Sequence, residues 1–278
     1  MNNNPILWFS DEACKDVRLT GGKGASLANM TARGLPVPPG FVVPAYVLEQ
    51  SVDAEQLRKL AQAQDAEGAQ ALIHHAGPPR EAIISSYERL SGVGGLHIKV
   101  AVRSSACAED SEAASYAGQQ ETYLNTLGGD EVCARLVDCW ASFFSERALF
   151  YRAQKGSLGD LAMAVVVQKM LDPLKAGVIF TAHPVTRRRD RMLVEAVFGL
   201  GEQVVSGEVT PDHYVVDRAG NIKQEQIVDK RVLEQDEIQQ LVAFGLKLEK
   251  YFGKPQDIEW GIEQGTVYLL QSRPITTL

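Results

Sequence analysis

Positive charge is in short supply. Lys and Arg number 28 against 35 Asp and Glu, a formal net charge of −7 over 278 residues. That balance argues against a chain built mainly to hold nucleic acid or an anionic membrane, although it leaves room for a local basic pocket. Long apolar runs are missing as well, and none approaches the roughly 20 residues of a membrane span. The opening "MNNNPILWFSDEACKD" has neither a basic n-region nor an apolar h-region, so no secretory signal is read there. Cysteine is sparse: Cys14, Cys107, Cys133 and Cys139 form no CxxC pair, which argues against zinc. Four reduced thiols in a cytoplasmic protein is the simplest account. Internal repeats and low-complexity tracts are absent too.

What is present reads as an α+β protein, with antiparallel character in its second half and a lobe boundary near Gln168–Leu171. The expected lobes are residues 1–168 and 169–278. In "LTGGKGASLANMTARGLPVPPGFVV", glycines surround Lys23 ahead of apolar residues at helical spacing. Gly34 sits at a helix C-terminus, and the following prolines stop the helix before a buried "GFVV" strand. Residues 53–91 read as two helical pieces of scaffold broken at Pro78–Pro79. Residues 130–153 form the longest helix candidate, with Val132, Leu136, Trp140, Phe143, Phe144 and Leu149 on a broad apolar face. "LAMAVVVQKML" reads as a strand buried on both faces, and two further strands follow it. After these come a hairpin around "DRAGN", a helix over 234–252 and a closing hairpin.

Three stretches carry chemistry. Lys23 in its glycine-rich turn is a physically sensible phosphate site, because backbone N–H groups can approach an anion and the ammonium adds charge. The spacing is not that of a Walker A motif, and a plain turn fits equally well. "AVRSSACAEDSEAASYAGQQETYLN" is long and polar, with Arg103, Ser104, Ser105, Ser115, Gly118 and Gln119 as donors. Arg103 is expected at a strand end or on the following loop. This stretch suits a lid over phosphates, with a plain loop as the alternative.

The terminal "DIEWGIEQGTVYLLQSRP" is a matter of parity. Asp257 and Glu259 share one strand face, and Gln271 and Arg273 share another. These faces coincide only if the connecting loop has an odd number of residues, and a three-residue loop Glu263–Gln264–Gly265 satisfies that. Ile258, Trp260 and Leu270 would then point together into the core. Carboxylates with an amide oxygen suit a hard cation such as Mg²⁺, completed by phosphate oxygens and water. A cross-strand salt bridge on a solvated face is the alternative, and the apolar "LLQSRP" context favours the metal.

Taken in order, "GGKGASLANM", "VPPGFVV", "AVRSSACAEDSEAASYAGQQETYLN", "VVVQKML", "FTAHPVT", "EAVFGLGEQVVSGEVTPDHYVV", "DIEW" and "LLQSRP" resemble one family. It is the N-terminal nucleotide-binding domain of phosphoenolpyruvate synthase, pyruvate phosphate dikinase and rifampin phosphotransferase. The "FTAHPVT" to "VVSGEVTPDHYVV" region looks closer to the rifampin branch. The resemblance implies an ATP-grasp fold, with mixed and antiparallel sheets in two lobes clamping ATP and Mg²⁺. It implies that Lys23, Arg103 and Arg273 contact the transferred phosphates, with Ser104 and Ser105 beside them. Gln168, Lys169 and Met170 would line the adenine, and Glu202 would lie near the ribose. Glu259 and Gln271 would ligate Mg²⁺, with Asp257 close by.

In such enzymes ATP yields AMP, and a phosphoryl group passes to a histidine on a swivelling domain and then to a small acceptor. That domain is absent from this sequence, so the partner is expected in a longer parent or in trans. Of the five histidines, His74, His75, His97 and His213 read as structural or surface residues, and His183 is the one to test. Cys107 stands where the family usually has threonine, and His183 where relatives often have Asp or Asn. The Arg187–Arg191 run reads as a solvated loop, or as a dock for an anionic acceptor or partner. Two rival functions are a non-catalytic nucleotide-binding regulatory module and a carboxylate–amine ligase that leaves ADP.

Overall fold

The computed structural model describes residues 4–92, 97–107, 121–200 and 209–276. Two compact units emerge: Met1–Asn29 with Pro39–Met170, and Met30–Pro38 with Leu171–Leu278. The short segment Met30–Pro38 therefore groups with the second unit, a discontinuity that a two-block reading of the chain does not contain. Two contacts hold it there: the Leu269 amide donates to the Pro36 carbonyl at 2.8 Å, and the Arg33 guanidinium lies 3.1 Å from the Tyr251 ring centroid.

The first unit holds a five-stranded sheet. Its strands are β1 (Leu7–Trp8), β2 (Gly40–Val43), β3 (Lys99–Ala106), β4 (Thr122–Leu127) and β5 (Met163–Lys169), ordered β1-β2-β5-β3-β4. β-branched residues dominate β5, which is buried from Met163 to Gln168 as its continuous apolar run requires. One face of the sheet packs on helices α2 (Tyr46–Ser51), α3 (Ala54–Gln62), α4 (Ala66–Ala76), α5 (Arg80–Ser91), α6 (Gly129–Ser142) and α7 (Glu146–Lys155). Val100, Val102, Val165 and Val167 meet Leu57, Ile73, Leu136 and Trp140 in that core. The opposite face receives α1 (Val17–Ala32), where the space for a side chain on Gly24 is closed by Val42 of β2.

Two helix boundaries differ from the sequence expectation. Residues 53–91 make three helices, because Asp65 opens α4 by accepting from the Gly68 amide at 2.9 Å. The expected helix over 130–153 breaks at Phe143–Ser145, where the Ser145 hydroxyl accepts from the Ala148 amide at 3.3 Å and starts α7. The Arg152 guanidinium, itself buried, donates back to the Phe143 carbonyl at 3.1 Å and fixes the bend.

The second unit carries a six-stranded sheet. It comprises β6 (Lys175–Phe180), β7 (Arg191–Phe198), β8 (Asp212–Asp217), β9 (Ile222–Gln226), β10 (Gln256–Glu263) and β11 (Thr266–Pro274), ordered β11-β10-β6-β7-β8-β9. Helix α8 (Gln235–Phe252) begins with a reciprocal cap between Glu234 and Glu237. It packs on one face of this sheet, where Gly245 approaches Thr181, Ile179 and Ile258. Every strand pairing among the described residues is antiparallel; the mixed sheet that the resemblance implied is not among them.

Candidate functional site

In the first unit, the glycine-rich turn is held against the end of β3. Gly21 interrupts α1 with φ 68° and ψ 174°, a region that essentially only glycine enters. A Cβ there would sit 2.3 Å from the Ser105 hydroxyl oxygen and 2.4 Å from its carbonyl oxygen. That close approach lets the Ser105 hydroxyl donate to the Thr20 carbonyl at 2.8 Å and accept from the Gly24 amide at 3.3 Å. The Lys23 ammonium donates to the Ser104 carbonyl at 2.8 Å, so it is anchored at the base of the turn.

Ser104 and Ser105 were expected among the phosphate donors. Both are fully buried, and the Ser104 hydroxyl donates to the Glu121 carbonyl at 3.3 Å. Their hydroxyls serve the backbone that positions Lys23. Cys107 is buried and its thiol is pushed up to about 12, chiefly by burial; it donates weakly to the Ser105 carbonyl at 3.8 Å.

Arg103 lies within β3 rather than at its end. It faces the side of the sheet shared by Ser105 and Gln168, as the registers Arg103–Val166 and Ala101–Gln168 require. Gln168 is buried. Beyond it the Lys169 amide donates to the Pro39 carbonyl at 2.9 Å and the Met170 amide to the Lys99 carbonyl at 3.0 Å. The Met170 sulfur accepts from the Asn125 amide at 2.9 Å. Glu202, Ser115, Gly118 and Gln119 lie outside the described residues.

In the second unit the closing hairpin pairs Asp257 with Arg273 and Glu259 with Gln271. The four side chains share a face, but not through a three-residue loop. The turn has two residues, Gln264 (φ 50°) and Gly265 (φ 76°), both with the positive φ of a primed hairpin turn. The third unpaired residue is Leu270, a bulge between the Glu259–Gln271 and Trp260–Leu269 pairs. Parity counts every unpaired residue between the strands, so two in the turn and one in the bulge meet the condition. Leu269, not Leu270, is buried with Trp260 and Ile258. Leu270 lies on the polar face, beside the position a Gly261 Cβ would take. The "YLLQS" doublet, which breaks strict alternation, was the available signal.

The Asp257 side chain is 10% exposed. Its Oδ2 accepts from the Arg273 Nε at 2.8 Å, while Oδ1 is buried with no hydrogen-bond partner in the structure. Burial raises the Asp257 pKa above the usual carboxylate value, Arg273 opposes the rise, and nearby Glu259 adds to it. A buried oxygen with an unused lone pair, next to a second carboxylate and an amide, fits a hard cation. Among the described residues no group of three His, Cys, Asp or Glu side chains could hold a metal. A cation here therefore needs oxygens from a ligand and from water.

His183 serves its own loop: its Nδ1 accepts from the Thr186 amide at 3.3 Å and its carbonyl from the Arg187 amide at 2.8 Å. Within the basic run, Arg188 and Arg191 both pair with Asp190. His213, expected to be structural or surface, contacts Glu195 at 3.3 Å, a residue that no sequence motif singles out.

Each unit thus carries its own polar cluster: Lys23 at its glycine turn in the first, and Asp257, Glu259, Gln271 and Arg273 on one sheet face in the second. Residues 17–232 and 219–278 match the family described as pyruvate phosphate dikinase, AMP/ATP-binding domain, and the chain belongs to that family. A probable phosphoenolpyruvate synthase of Archaeoglobus fulgidus is 42% identical over 99% of this chain and 42% of its own length. A rifampicin phosphotransferase of Bacillus cereus is 36% identical over 98% of this chain and 36% of its own. Identity over the whole chain thus does not favour the rifampin branch. A D-alanyl-alanine synthetase A structure from Vibrio cholerae covers 91% of this chain and 58% of its own at TM-score 0.37 and 13% identity. The chain spans less than half the length of these two sequence relatives. Among the described residues no helix is long and apolar enough to cross a membrane.

Proposed function

We propose that this chain is the ATP-binding, phosphoryl-donating domain of an ATP-grasp, dikinase-type phosphotransferase. Lys23, Arg103 and Arg273 bind the phosphates, the Gln168–Met170 strand end lines the adenine, and Asp257, Glu259 and Gln271 hold Mg²⁺. The observation that carries this reading is the unpartnered, buried Asp257 Oδ1 on the face that holds Glu259, Gln271 and Arg273. Mg²⁺ would neutralise polyphosphate charge there; the protein's own contribution is to fix the phosphates in line for an incoming nucleophile. Lys23 supplies positive charge from a position held by the Ser104 carbonyl, and Arg103 adds a second cation from the same strand.

The acceptor in this reading is a histidine on a swivelling domain, which passes the group to a small molecule. The test is to incubate the chain with Mg·ATP, alone and with a histidine-bearing swivelling domain, and to resolve the nucleotides. The chain alone should form little AMP, and the partner should raise AMP and phosphate together. Glu259→Ala should lower that transfer by about 10²–10³-fold. ADP without AMP would favour the ligase reading. ATP binding with no transfer to any partner, and with affinity unchanged in Glu259→Ala, would favour the regulatory module. Rapid AMP release with a small acceptor and no second protein would remove the partner requirement.

A further inference from the structure

A cleft of about 400 Å³ opens within the first unit, where α4, α6 and the start of α7 meet the edge strand β4. Gln70 and His74 line it from α4, Asp138 from α6, Arg147 from α7, and Tyr123 from β4 with Glu121 just ahead of it. Of the described lining residues only Ala141 lacks a polar side chain. The cleft is separate from the Lys23–Arg103 cluster. Val102 pairs with Tyr123, and Arg103 with Thr122. Directly opposed residues of antiparallel strands share a face. Tyr123 therefore sits with Val102 on the helix-covered side, and Arg103 lies on the other.

The charges lining the cleft are not all spoken for. Asp138 accepts from the Arg135 Nη1 at 3.1 Å, which offsets its charge. The Glu121 carboxylate and the Arg147 guanidinium form no hydrogen bond or ion pair within the described residues. One carboxylate and one guanidinium are left over, so a neutral occupant bearing one charge of each sign matches them. A dianion or a dication would meet like charge at one end. The acidic end is marked by Tyr123, whose phenol is pushed up to about 12, chiefly by burial, with Glu121 and Asp138 both adding to the rise. Asp138 and Ser142 stand one turn apart on α6, about 6 Å, and Arg147 follows beyond the bend at Ser145.

We propose that this cleft binds a free amino acid, its ammonium at Glu121 and Asp138 and its carboxylate at Arg147, and that this ligand is an effector of the Lys23 turn. Both contacts are charge-assisted and so among the stronger hydrogen bonds. The volume lies within the range of small-molecule sites, and the polar lining favours a small or polar side chain. The route to Lys23 runs through one residue. The Glu121 carbonyl accepts from the Ser104 amide at 3.0 Å and from its hydroxyl at 3.3 Å. The Ser104 carbonyl in turn receives the Lys23 ammonium at 2.8 Å. An ammonium held by the Glu121 side chain fixes the backbone that anchors Lys23, and less ordering is left for a phosphate ligand to supply. The effector role, but not the binding, rests on the ATP-site reading above.

The test is calorimetric titration of the whole chain with each of the common protein amino acids, without nucleotide. At least one should bind saturably, and its N-acetyl and amide derivatives, which each remove one charge, should bind about tenfold more weakly or worse. Glu121→Gln should lose the discrimination against the N-acetyl form, and Arg147→Met the discrimination against the amide. Both side chains are exposed, so neither change threatens the fold. Titration with Mg·ATP is then repeated with the amino acid at saturation, where affinity should tighten by about fivefold. Binding by no amino acid, or binding that both variants leave unchanged, overturns the site. Amino-acid binding with Mg·ATP affinity unmoved or weakened overturns the effector role. Failure of the unsubstituted chain to bind ATP at all, with the amino acid still bound, counts against the ATP-site reading and the effector role together and leaves the amino-acid site standing.

Discussion

The two charged clusters, one in each unit, are built by opposite means. Around Lys23 the work is done by backbone: a glycine in a conformation closed to other residues lets the turn touch Ser105, and buried hydroxyls and carbonyls hold it there. Around Glu259 the work is done by side-chain alternation: strand register, a primed turn and one bulge put four polar groups on one face. The first arrangement tolerates almost no added volume. The second tolerates local change provided the count of unpaired residues is kept. The contrast can be broken at the first cluster and sharpened at the second.

The largest effect is expected at Gly21. Gly21→Ala places a methyl group inside contact distance of Ser105 backbone atoms, at a φ/ψ pair that alanine does not adopt. Overpacking and backbone strain together should cost about 3 kcal/mol or more. Gly22→Ala, one residue on, meets nothing within 4 Å and should leave stability unchanged or raise it by about 0.5–1 kcal/mol. Urea unfolding of both variants checks the pair; equal losses would show that the turn is not held by close approach.

A smaller effect is expected at the hairpin turn. Gln264 occupies the first central position at φ 50° with Gly265 after it, where Asn-Gly is the favoured pair. Gln264→Asn should raise the unfolding free energy by about 0.5 kcal/mol through a lower cost of positive φ, with Mg·ATP affinity unchanged because the register is unaltered. A loss of affinity in this variant would mean that the turn, and not the bulge, sets the register at Glu259.

Much of this was legible before the structure. Periodicity gave the buried β5 strand, the β8–β9 hairpin, α8 and the closing hairpin, because each is a long pattern bounded by strong turn residues. Parity lets Glu259 and Gln271 share a face only with an odd number of unpaired residues between the strands, and the structure meets that condition. The bulge that supplies the odd residue is hard to read in advance, because it has no composition of its own, only a broken alternation at Leu269–Leu270. The helix break before α7 is hidden by a face that stays apolar across Phe143 and Phe144, both buried immediately before the Ser145 cap. The roles of Ser104 and Ser105 were illegible for a different reason. A serine in a polar stretch reads as a donor to ligand, and only the fold reveals that the Ser105 hydroxyl donates to Thr20, 85 residues away in sequence, and the Ser104 hydroxyl to Glu121.

The most delicate test concerns Asp257, where two effects oppose. Burial raises its folded pKa and the Arg273 guanidinium pulls it down, with the net shift upward. The folded chain therefore binds this proton more tightly than the unfolded chain does. Its contribution to stability is fully present below the ordinary carboxylate value of about 3.8 and is lost as pH rises through the folded value. Asp257→Asn removes that dependence. The variant should accordingly gain on the unsubstituted chain as pH is raised from about 4 to about 7, in the absence of divalent cation. The gain is the smallest of the three effects, because Arg273 already offsets part of the burial and loses its partner in the variant. Mg²⁺ together with ATP should reverse the order at neutral pH, since a cation beside Oδ1 stabilises the charged carboxylate and has no such hold on the amide. Thermal unfolding of both chains across this pH range, with and without Mg·ATP, separates the cases. A gain that shrinks as pH rises would mean that Arg273 outweighs burial, and that Asp257 is held as one half of a structural ion pair.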